Sequence, residues 1–362
     1  MKKETNNSTC LRKTTIGGQA LIEGIMMRSP KKAMMAVRNP EGEIVLEEVE
    51  IKGAKRPAFC RWPIVRGLFV YIDSMVAGYK CLMRSAEIAG LEDMVEEEPK
   101  KKSKKTKKAA ENKVEEETSD TAKTEKKENK DDEKLPAWLV SLVMILGVVF
   151  GMLLAVGLFV MLPTVLFDLL AKVAPVLKNT GSAALNSLCK SAFEGVLKVL
   201  LLVGYMGAVS FMKDIRRTFM FHGAEHKTIF CYEAGKELTV ENVRLQNKYH
   251  PRCGTSFLVL MVLVSIFISF FIDPVALLIS GRVLPTALRF AVKFLMIPLI
   301  MGIGYELIKI AGKHDNWFTR AISTPGVWLQ HLTVLEPTDD MIECAIAAMK
   351  EVIPDDGSDR WE

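Results

Sequence analysis

The sequence is poor in aromatic residues, has no closely spaced cysteine pair and begins without an apolar stretch. Aromatic side chains make up 8% of the 362 residues, and the charged run between Glu92 and Lys134 contains none. That run holds 13 lysines and 15 acidic residues, and the net charge of the chain is only +5, so the charge pattern argues against a nucleic-acid partner. The seven cysteines form no CxxC motif, which is typical of a reducing cytoplasm and not of a secreted disulfide scaffold. Because the first fifteen residues include no apolar core, we expect no cleavable signal peptide.

Charge and hydrophobicity are segregated along the chain. Charged residues make up 25% of the chain, although its mean hydropathy is positive at +0.17. Residues 92–135 are highly charged and nearly free of large apolar side chains, which predicts a disordered linker. Four runs approach the length needed to cross a bilayer, at residues 137–161, 195–212, 255–272 and 288–310. Residues 163–176 are too short and too proline-marked for a span, and we interpret them as a re-entrant or interfacial piece. This pattern excludes an ordinary soluble enzyme.

Lysine and arginine are unevenly distributed among the connecting segments. Residues 213–254 contain eight of them, against three in residues 163–192 and one in residues 273–287. Because cytoplasmic loops of membrane proteins are enriched in these residues, we place 213–254 in the cytoplasm and the other two segments outside. Four crossings then put both termini in the cytoplasm. The lipid bilayer is the expected partner, and other membrane or cytoplasmic proteins are further candidates.

The regions that flank the predicted spans carry their own patterns. Within residues 1–91, two apolar runs at 33–38 and 43–46 surround an Asn-Pro-Glu-Gly turn, which predicts a β-hairpin. An amphipathic helix follows from Trp62 to Glu87, lying either on the membrane surface or on the hairpin. In the predicted tail, residues 313–362, a short helix begins near Asp339 and serves as a docking element. The expected fold is mainly α: a polytopic helical membrane domain of about four spans, residues 136–312, with a small N-terminal cytoplasmic α+β subdomain.

The chemistry is concentrated in the run Phe221-His222-Gly223-Ala224-Glu225-His226. On a helix, His222 and His226 lie about 40° apart on one face. Two imidazoles on one face suit a zinc-like ion, and the neighbouring Glu225 is a candidate general base. The spacing H-x-x-E-H is similar to that of inverzincin metallopeptidases.

Three further residues are candidate metal ligands. His250 and Cys253 end the same cytoplasmic loop, and both residue types bind metals of intermediate softness. Glu306 lies inside the fourth predicted span, where a carboxylate is costly and suggests a functional site. By the predicted topology Glu306 is about one turn from the cytoplasmic end of its span. The resemblance to inverzincins implies that Glu306 is the third ligand beside His222 and His226.

A purely structural interpretation of the same residues stays open. In that interpretation the two motif histidines cap or line a helix near the membrane, and Glu306 pairs with Lys309 or with an arginine of the cytoplasmic loop.

Several longer motifs resemble the YqhQ-like family of bacterial membrane proteins. The resemblance covers nearly the whole chain apart from the linker, and it rests on the runs GGQALIEGIMMR (17–28), FHGAEHKT (221–228), HPRCGTSF (250–257), YE (305–306) and PGVWLQ (325–330). It implies a predicted metal-dependent enzyme in the bacterial inner membrane. The metal would be a divalent ion, with zinc the expected identity.

These observations lead to two main hypotheses. In the first, the protein is a metal-dependent hydrolase that acts on a membrane-proximal peptide or lipid at the cytoplasmic face, with Glu225 as general base. In the second, it is a non-catalytic scaffold or sensor whose metal site is structural, with Cys253 filling a fourth position. A transporter component is a third alternative, which is weakened because the predicted spans contain only one acidic residue.

Overall fold

The computed structural model describes residues 13–50, 57–91, 137–175, 181–282, 284–314 and 316–360. The predicted disordered linker, residues 92–135, lies outside the described residues. The described part is mainly helical and carries a small sheet near its start, which confirms the predicted class of secondary structure.

The sheet is an antiparallel meander of four strands. Its strands are β1 (Gly17–Leu21), β2 (Gly24–Arg28), β3 (Ala33–Arg38) and β4 (Ile44–Val49), in the order β1-β2-β3-β4. The predicted hairpin is β3 and β4, with Val37 opposite Val45, and its turn contains Gly42 at a φ of 91°. Glycine occupies this left-handed position without the steric cost of a Cβ. The β1–β2 hairpin was not predicted.

Eleven α-helices are present in the described residues. They are α1 (Val65–Ile88), α2 (Ala137–Val156), α3 (Leu162–Val173), α4 (Ala183–Ser210), α5 (Lys213–Glu233), α6 (Val240–Arg244), α7 (Gly254–Ser280), α8 (Thr286–Leu295), α9 (Ile297–Lys313), α10 (Trp317–Thr333) and α11 (Asp339–Val352). A 3-10 turn, Ala58–Arg61, precedes α1, and a π-helical turn, Gly157–Met161, joins α2 to α3.

The sheet packs against helices on both faces, because alternate residues of a strand point to opposite sides. One face contributes Ile25, Met27 and Met34 to a core shared with Phe221 of α5 and Met341 of α11. The other face contributes Leu21, Met26 and Met35 to a second core closed by Cys81 of α1. The predicted docking helix near the C-terminus therefore docks on the N-terminal sheet of the same chain.

Within the described residues, three helical segments are long and apolar enough to cross a membrane. They are Val149–Val173, Leu185–Ser210 and Gly254–Ser280, and the pair α8 and α9, bent by 44° at their junction, makes a fourth if it counts as one span. The interpretation of the region that begins at Pro163 as a re-entrant or interfacial piece is wrong, because α2 continues through the π turn Gly157–Met161 into α3. Two of the segments are also longer than predicted. They include Glu194 and Asp273, so the expectation of a single acidic residue in the spans is wrong.

Two close helix contacts join the sheet-bearing part to the apolar helices. α1 meets α9 where Gly67 faces Gly302, and a Cβ added to Gly302 would lie 2.3 Å from the carbonyl oxygen of Ile64. α10 packs along α7, where a Cβ on Gly326 would lie 2.5 Å from the Cα of Ser256. Small residues permit such close backbone approach, which is common between membrane helices. The candidate site lies where α5 meets the start of α7.

Candidate metal centre

Helix α5 presents the two motif histidines on one side and a hydrophobic face on the other. Phe221 and Ala224 are buried in the core shared with the sheet and α11. His222 and His226, one turn apart, have ring centroids 4.4 Å from each other in an edge-to-face arrangement. The helical spacing therefore puts both imidazoles on the same side, as the sequence predicts.

Cys253 reaches the same point from the start of α7. It is the N-cap residue of that helix, and its sulfur accepts a hydrogen bond from the backbone N–H of Thr255 at 3.4 Å. Its Sγ lies 3.0 Å from Nε2 of His222. Among the described residues, His222, His226 and Cys253 form a group whose ligand atoms all lie within 4.8 Å of one another. The site thus joins the middle of α5 to the residue that begins α7.

The second nitrogen of each histidine ring is held by a backbone carbonyl. Nδ1 of His222 lies 3.0 Å from the carbonyl oxygen of Thr333, and Nδ1 of His226 lies 2.5 Å from that of Lys248. A carbonyl oxygen only accepts hydrogen bonds, so each Nδ1 carries a proton. Nε2 is then the nitrogen of each ring that can bind a metal; in this structure Nε2 of His222 is engaged with the Cys253 sulfur. Metal-binding histidines usually have this arrangement, with the other ring nitrogen donating to a carbonyl or carboxylate.

The electrostatics of the group favour a thiolate at Cys253. Burial disfavours the charged thiolate, but His222 and His226 outweigh it and hold the pKa of Cys253 well below its usual range. For His222, burial opposes the charged form, while the neighbouring Cys253 sulfur raises the pKa to about 9. A thiolate is the form of cysteine that binds metals and acts as a nucleophile. A divalent cation would replace the proton between His222 and Cys253.

Glu225 lies beside these three side chains, and a residue of the N-terminal strand β1 holds its carboxylate. Its side chain is buried, and Oε1 accepts a hydrogen bond of 2.9 Å from the backbone N–H of Gly18. Burial raises the pKa of Glu225, and the nearby His222 and His226 oppose that rise. A Cβ on Gly18 would lie 3.0 Å from the Glu225 carboxyl carbon. The Gly-Gly motif at the start of β1 therefore serves this site, a role that the sequence did not reveal.

His250 lies behind the group and not within it. Its ring is 5.6 Å from that of His226 and 4.5 Å from that of Phe230, and Nδ1 accepts a hydrogen bond from the backbone N–H of Arg252. Nε2 is 3.7 Å from a carboxylate oxygen of buried Glu233. Burial lowers the pKa of His250 to about 4, against the influence of Glu233. Its position is that of a packing residue behind the candidate ligand His226.

Gln330 holds the backbone of His250 in place. Its Oε1 accepts from the His250 N–H at 2.8 Å, and its Nε2 donates to the His250 carbonyl at 2.7 Å. Gln330 is fully buried on α10. A buried glutamine with satisfied hydrogen bonds fixes a loop that carries no regular structure. The glutamine of the PGVWLQ motif thus positions the segment that leads to Cys253.

The structure does not bring Glu306 to the histidines. Nε of Arg66 lies 2.6 Å from Oε1 of Glu306, and a second guanidinium nitrogen lies 2.5 Å from Oε2. This bidentate pair joins α1 to α9, so the carboxylate is engaged by an arginine from the N-terminal region. The structural interpretation of the sequence predicted Lys309 or an arginine of the cytoplasmic loop as the partner of Glu306, whereas the partner is Arg66 of α1.

The motif contains a glycine, Gly223, although glycine weakens helices, because another part of the chain packs directly against this position. A Cβ at this position would lie 2.0 Å from the carbonyl oxygen of Leu335. The backbone N–H of Leu335 in turn donates to the carbonyl of Phe219 at 3.0 Å. The connection between α10 and α11 therefore lies directly on α5. This contact brings the Thr333 carbonyl to His222.

A cavity of about 670 Å³ lies between α1 and the sheet, and Gly18 forms part of its wall. Other lining residues include Gln19, Met35, Lys80 and Arg84. Gly18 thus borders the cavity and also binds Glu225. Glu225, His222, His226 and Cys253 do not line this cavity, which lies on the α1 side of the sheet.

Comparison with known proteins identifies the family. The family described as "Protein of unknown function (DUF1385)" matches residues 62–355. The chain belongs to this family. It is also 30% identical over 347 residues to "Uncharacterized protein YqhQ" of Bacillus subtilis (strain 168), a match that covers 93% of this chain and 92% of that protein. No solved structure matches the chain significantly. The resemblance inferred from the motifs is therefore confirmed for the family itself.

The donor set fits a zinc-like ion. Tetrahedral zinc has bonds of about 2.0 Å to nitrogen and about 2.3 Å to sulfur, which set its ligand atoms about 3.3 to 3.8 Å apart. The His222–Cys253 distance of 3.0 Å needs only a small opening. Two neutral imidazoles and a thiolate are also the ligand types that zinc prefers.

Proposed function

We propose that this DUF1385 protein is an integral membrane protein that binds a divalent metal ion through His222, His226 and Cys253. The observation that carries the proposal is the pair of Nδ1 hydrogen bonds to the Thr333 and Lys248 carbonyls. These bonds leave Nε2 as the metal-binding atom of each ring, and a metal would replace the proton between His222 and Cys253. Zinc is the expected ion.

Membrane embedding is supported by the surfaces of the long helices. Only 11%, 17% and 22% of the most apolar windows of the three segments are buried within the chain. Phe150 and Leu278 are 68% and 87% exposed. Such apolar surface is stable in lipid and not in water. The excess of lysine and arginine in residues 213–254 favours an orientation in which the metal site and both termini are cytoplasmic.

Within this proposal the reaction is hydrolysis of a membrane-proximal peptide or lipid. A bound ion would supply Lewis acidity to the carbonyl or phosphoryl oxygen of the substrate. Glu225 would act as general base toward a water molecule, because its carboxylate is buried beside His222 and His226 and burial raises its pKa. Gly18 holds the carboxylate in position through its N–H.

The alternative is a structural metal site in a membrane scaffold or sensor. The burial of His226 and Cys253, at 2% and 5% exposure, favours this alternative. A structural site has four protein ligands, whereas a catalytic site keeps an open position. The described group contains three such side chains, and this count favours the catalytic interpretation.

The first test is elemental analysis of the detergent-purified protein. We expect about one equivalent of metal in the parent, and its loss in His222→Ala/His226→Ala and in Cys253→Ser. His331→Gln is the matched control, because His331 is exposed and stacks on Tyr249 outside the group. Glu306→Ala should keep its metal, since Arg66 engages that carboxylate. A folded parent that takes up neither zinc, manganese nor iron would refute the proposal.

The hydrolase step has its own test. Glu225→Gln keeps the shape of the side chain and should retain the metal, while hydrolysis of membrane-proximal peptides or lipids should fall by at least about 100-fold. Full activity in this variant would remove Glu225 as the base. Equal metal content in the two proteins separates a catalytic defect from a binding defect.

A further inference from the structure

Helix α1 carries an exposed apolar surface that the proposed metal centre does not use. Ile72, Met75, Val76 and Tyr79 recur at intervals of three, one and three residues, so on an α-helix they fall within about 100° of one another. These four residues are 44%, 53%, 52% and 56% exposed. We call them the α1 stripe. A contiguous exposed apolar patch of this kind marks an interaction site.

The opposite side of α1 is already packed. Gly67, Gly78 and Cys81 are buried, and they lie about 140° around the helix from the α1 stripe. A Cβ on Gly78 would lie 2.4 Å from Oε1 of Gln19 in β1, and Cys81 belongs to a core shared with the sheet. The sheet therefore occupies one side of α1. Of the two contacts that the sequence predicts for this helix, the one with the membrane is left to the α1 stripe.

The first half of α1 is attached to helices that are apolar enough to cross a membrane. A Cβ on Gly67 would lie 3.1 Å from the Cα of Gly302 in α9. The ring of Tyr71 is 5.7 Å from that of Phe257 in α7. At 1.5 Å per residue, the α1 stripe begins about 8 Å along the helix axis from Gly67 and ends about 18 Å from it. The stripe therefore starts directly beside the candidate spans.

Exposed aromatic residues accompany both helices that pack on this pair of spans. Trp62 lies just before α1 and is 64% exposed, and Tyr79 ends the α1 stripe. Trp317 and Trp328 of α10, the helix that packs along α7, are 80% and 75% exposed. Tryptophan and tyrosine are enriched where lipid meets water, because each combines an apolar ring with a polar N–H or O–H group. These positions favour the surface of a bilayer over a partner in solution.

Charged residues border the α1 stripe without interrupting it. Across Val65–Met83, α1 contains only Arg66, Asp73 and Lys80. Arg66 pairs with α9, whereas Lys80 is exposed next to the end of the stripe. A lysine in this position lays its apolar stem on the stripe and extends its ammonium group to lipid phosphates. The charge pattern is therefore complementary to a phospholipid surface.

We propose that α1 is an interfacial helix whose stripe binds the phospholipid surface of the membrane in which the chain is embedded. The four stripe side chains lie at the boundary of acyl chains and headgroups, and Lys80 binds a lipid phosphate. Because α1 also packs on β1 next to Gly18, this contact seats the residue that holds Glu225 at the membrane surface. The inference rests on the proposed membrane embedding and is independent of metal binding.

The test is photo-cross-linking of the full chain in vesicles of phosphatidylethanolamine and phosphatidylglycerol that contain a radiolabelled phospholipid. The photoreactive amino acid benzoylphenylalanine replaces Met75 in one protein and Tyr79 in a second. The Tyr79 protein covers the case in which the Met75 protein does not fold, because there one aromatic residue replaces another. Illumination attaches the probe to whatever molecule covers its position, so the product identifies the partner.

Two further positions serve as controls. Leu46 of β4 is 43% exposed and points away from α1, since its neighbour Glu47 pairs with Arg84 of that helix. Phe267, in the middle of α7 and 63% exposed, reports membrane embedding itself. We expect labelled lipid at Phe267 and at both stripe positions, at a level at least about tenfold above that at Leu46.

The pattern of products separates the possible failures. Labelled lipid at Phe267 but at neither stripe position would overturn the inference and leave membrane embedding intact. Cross-links from both stripe positions to a second copy of the chain or to residues 92–135 would also overturn it, because the α1 stripe would then have a protein partner. Absence of labelled lipid at Phe267 would contradict the membrane proposal and the inference with it. Metal content, measured on the same samples, tests the metal proposal separately.

Discussion

The backbone N–H of Gly18 donates a hydrogen bond of 2.9 Å to the carboxylate of Glu225, across 207 residues of sequence. The contact links the edge strand β1 to the middle of α5. It connects two motifs that the sequence presents separately, the Gly-Gly run and the H-x-x-E-H run. The N-terminal sheet is therefore part of the candidate site and not only an accessory subdomain.

Substitution of Gly18 by alanine should destabilise the protein and displace Glu225. The added Cβ would lie 2.7 Å from the carbonyl oxygen of Met26 and 3.0 Å from the carboxyl carbon of Glu225. Overpacking of this kind costs about 1 to 3 kcal/mol. Thermal unfolding in detergent measures the loss. Gly17→Ala is the control, since no atom lies within 4 Å of its added Cβ, and equal effects of the two substitutions would contradict the explanation.

Substitution of Gly223 by alanine should also destabilise the folded protein, although alanine is a better helix former than glycine by about 1 kcal/mol. Its Cβ would lie 2.0 Å from the Leu335 carbonyl oxygen, a backbone atom that cannot move without the α10–α11 connection. Gly207→Ala in α4 has open space and should be neutral or stabilising. Unfolding midpoints of the two variants decide between packing and helix propensity. A stabilised Gly223→Ala would show that the connection is not held on α5.

Replacement of Gln330 by methionine should weaken the loop that leads to Cys253. The backbone N–H and carbonyl of His250 would lose their partners in a buried environment. Each buried unpaired group costs about 1 to 3 kcal/mol. We expect a lower unfolding temperature together with a weaker metal affinity, measured by competition with a chelator. A variant with lowered stability but unchanged metal affinity would limit Gln330 to a purely structural role.

Stability of the metal-free protein should fall as the pH is lowered from about 6.5 to about 4. Burial lowers the pKa of His250 to about 4 in the folded protein, so in this range the unfolded chain binds a proton that the folded chain does not. Above about pH 6.5 the His250 ring is neutral in both the folded and the unfolded protein, so its contribution to stability no longer changes with pH. The loss reaches about 3 kcal/mol at the low end.

The pH effect is measured by chemical unfolding in the presence of a chelator. His250→Gln removes the titrating group and should flatten the profile. His331→Gln should leave it unchanged, because His331 is exposed and stacks on Tyr249. An identical slope in His250→Gln would assign the effect to other groups.

The sequence predicted features that depend on near neighbours. The hairpin of β3 and β4 follows from two short apolar runs around an Asn-Pro-Glu-Gly turn, and α1 follows from helical periodicity. The family follows from long motifs. The apolar segments were recognised by composition, but their ends were misplaced. Residues 163–173 belong to α3 because proline is tolerated in the first turn of a helix and the π turn connects α3 to α2.

The parts of the site that sequence reasoning missed depend on distant residues. No local pattern relates Gly18 to Glu225, or Gln330 to His250, because these contacts arise from packing of whole elements. Glu306 was considered as a ligand because it is an acid in a predicted span. Its partner Arg66 comes from a helix 240 residues earlier in the chain. The short β1–β2 hairpin lacks a turn signal, since its turn places Glu23 at a positive φ.

By itself, the sequence determined the apolar segments and the placement of His222 and His226 on one helical face. Both follow from hydrophobic composition and the helical repeat, which act over a few residues. Only the tertiary structure decided which nitrogen of each ring faces a backbone carbonyl, which carboxylate lies beside the histidines and which is engaged by an arginine. Those outcomes depend on carbonyls, N–H groups and charges contributed by elements far apart in the chain, and packing alone brings them within hydrogen-bond distance.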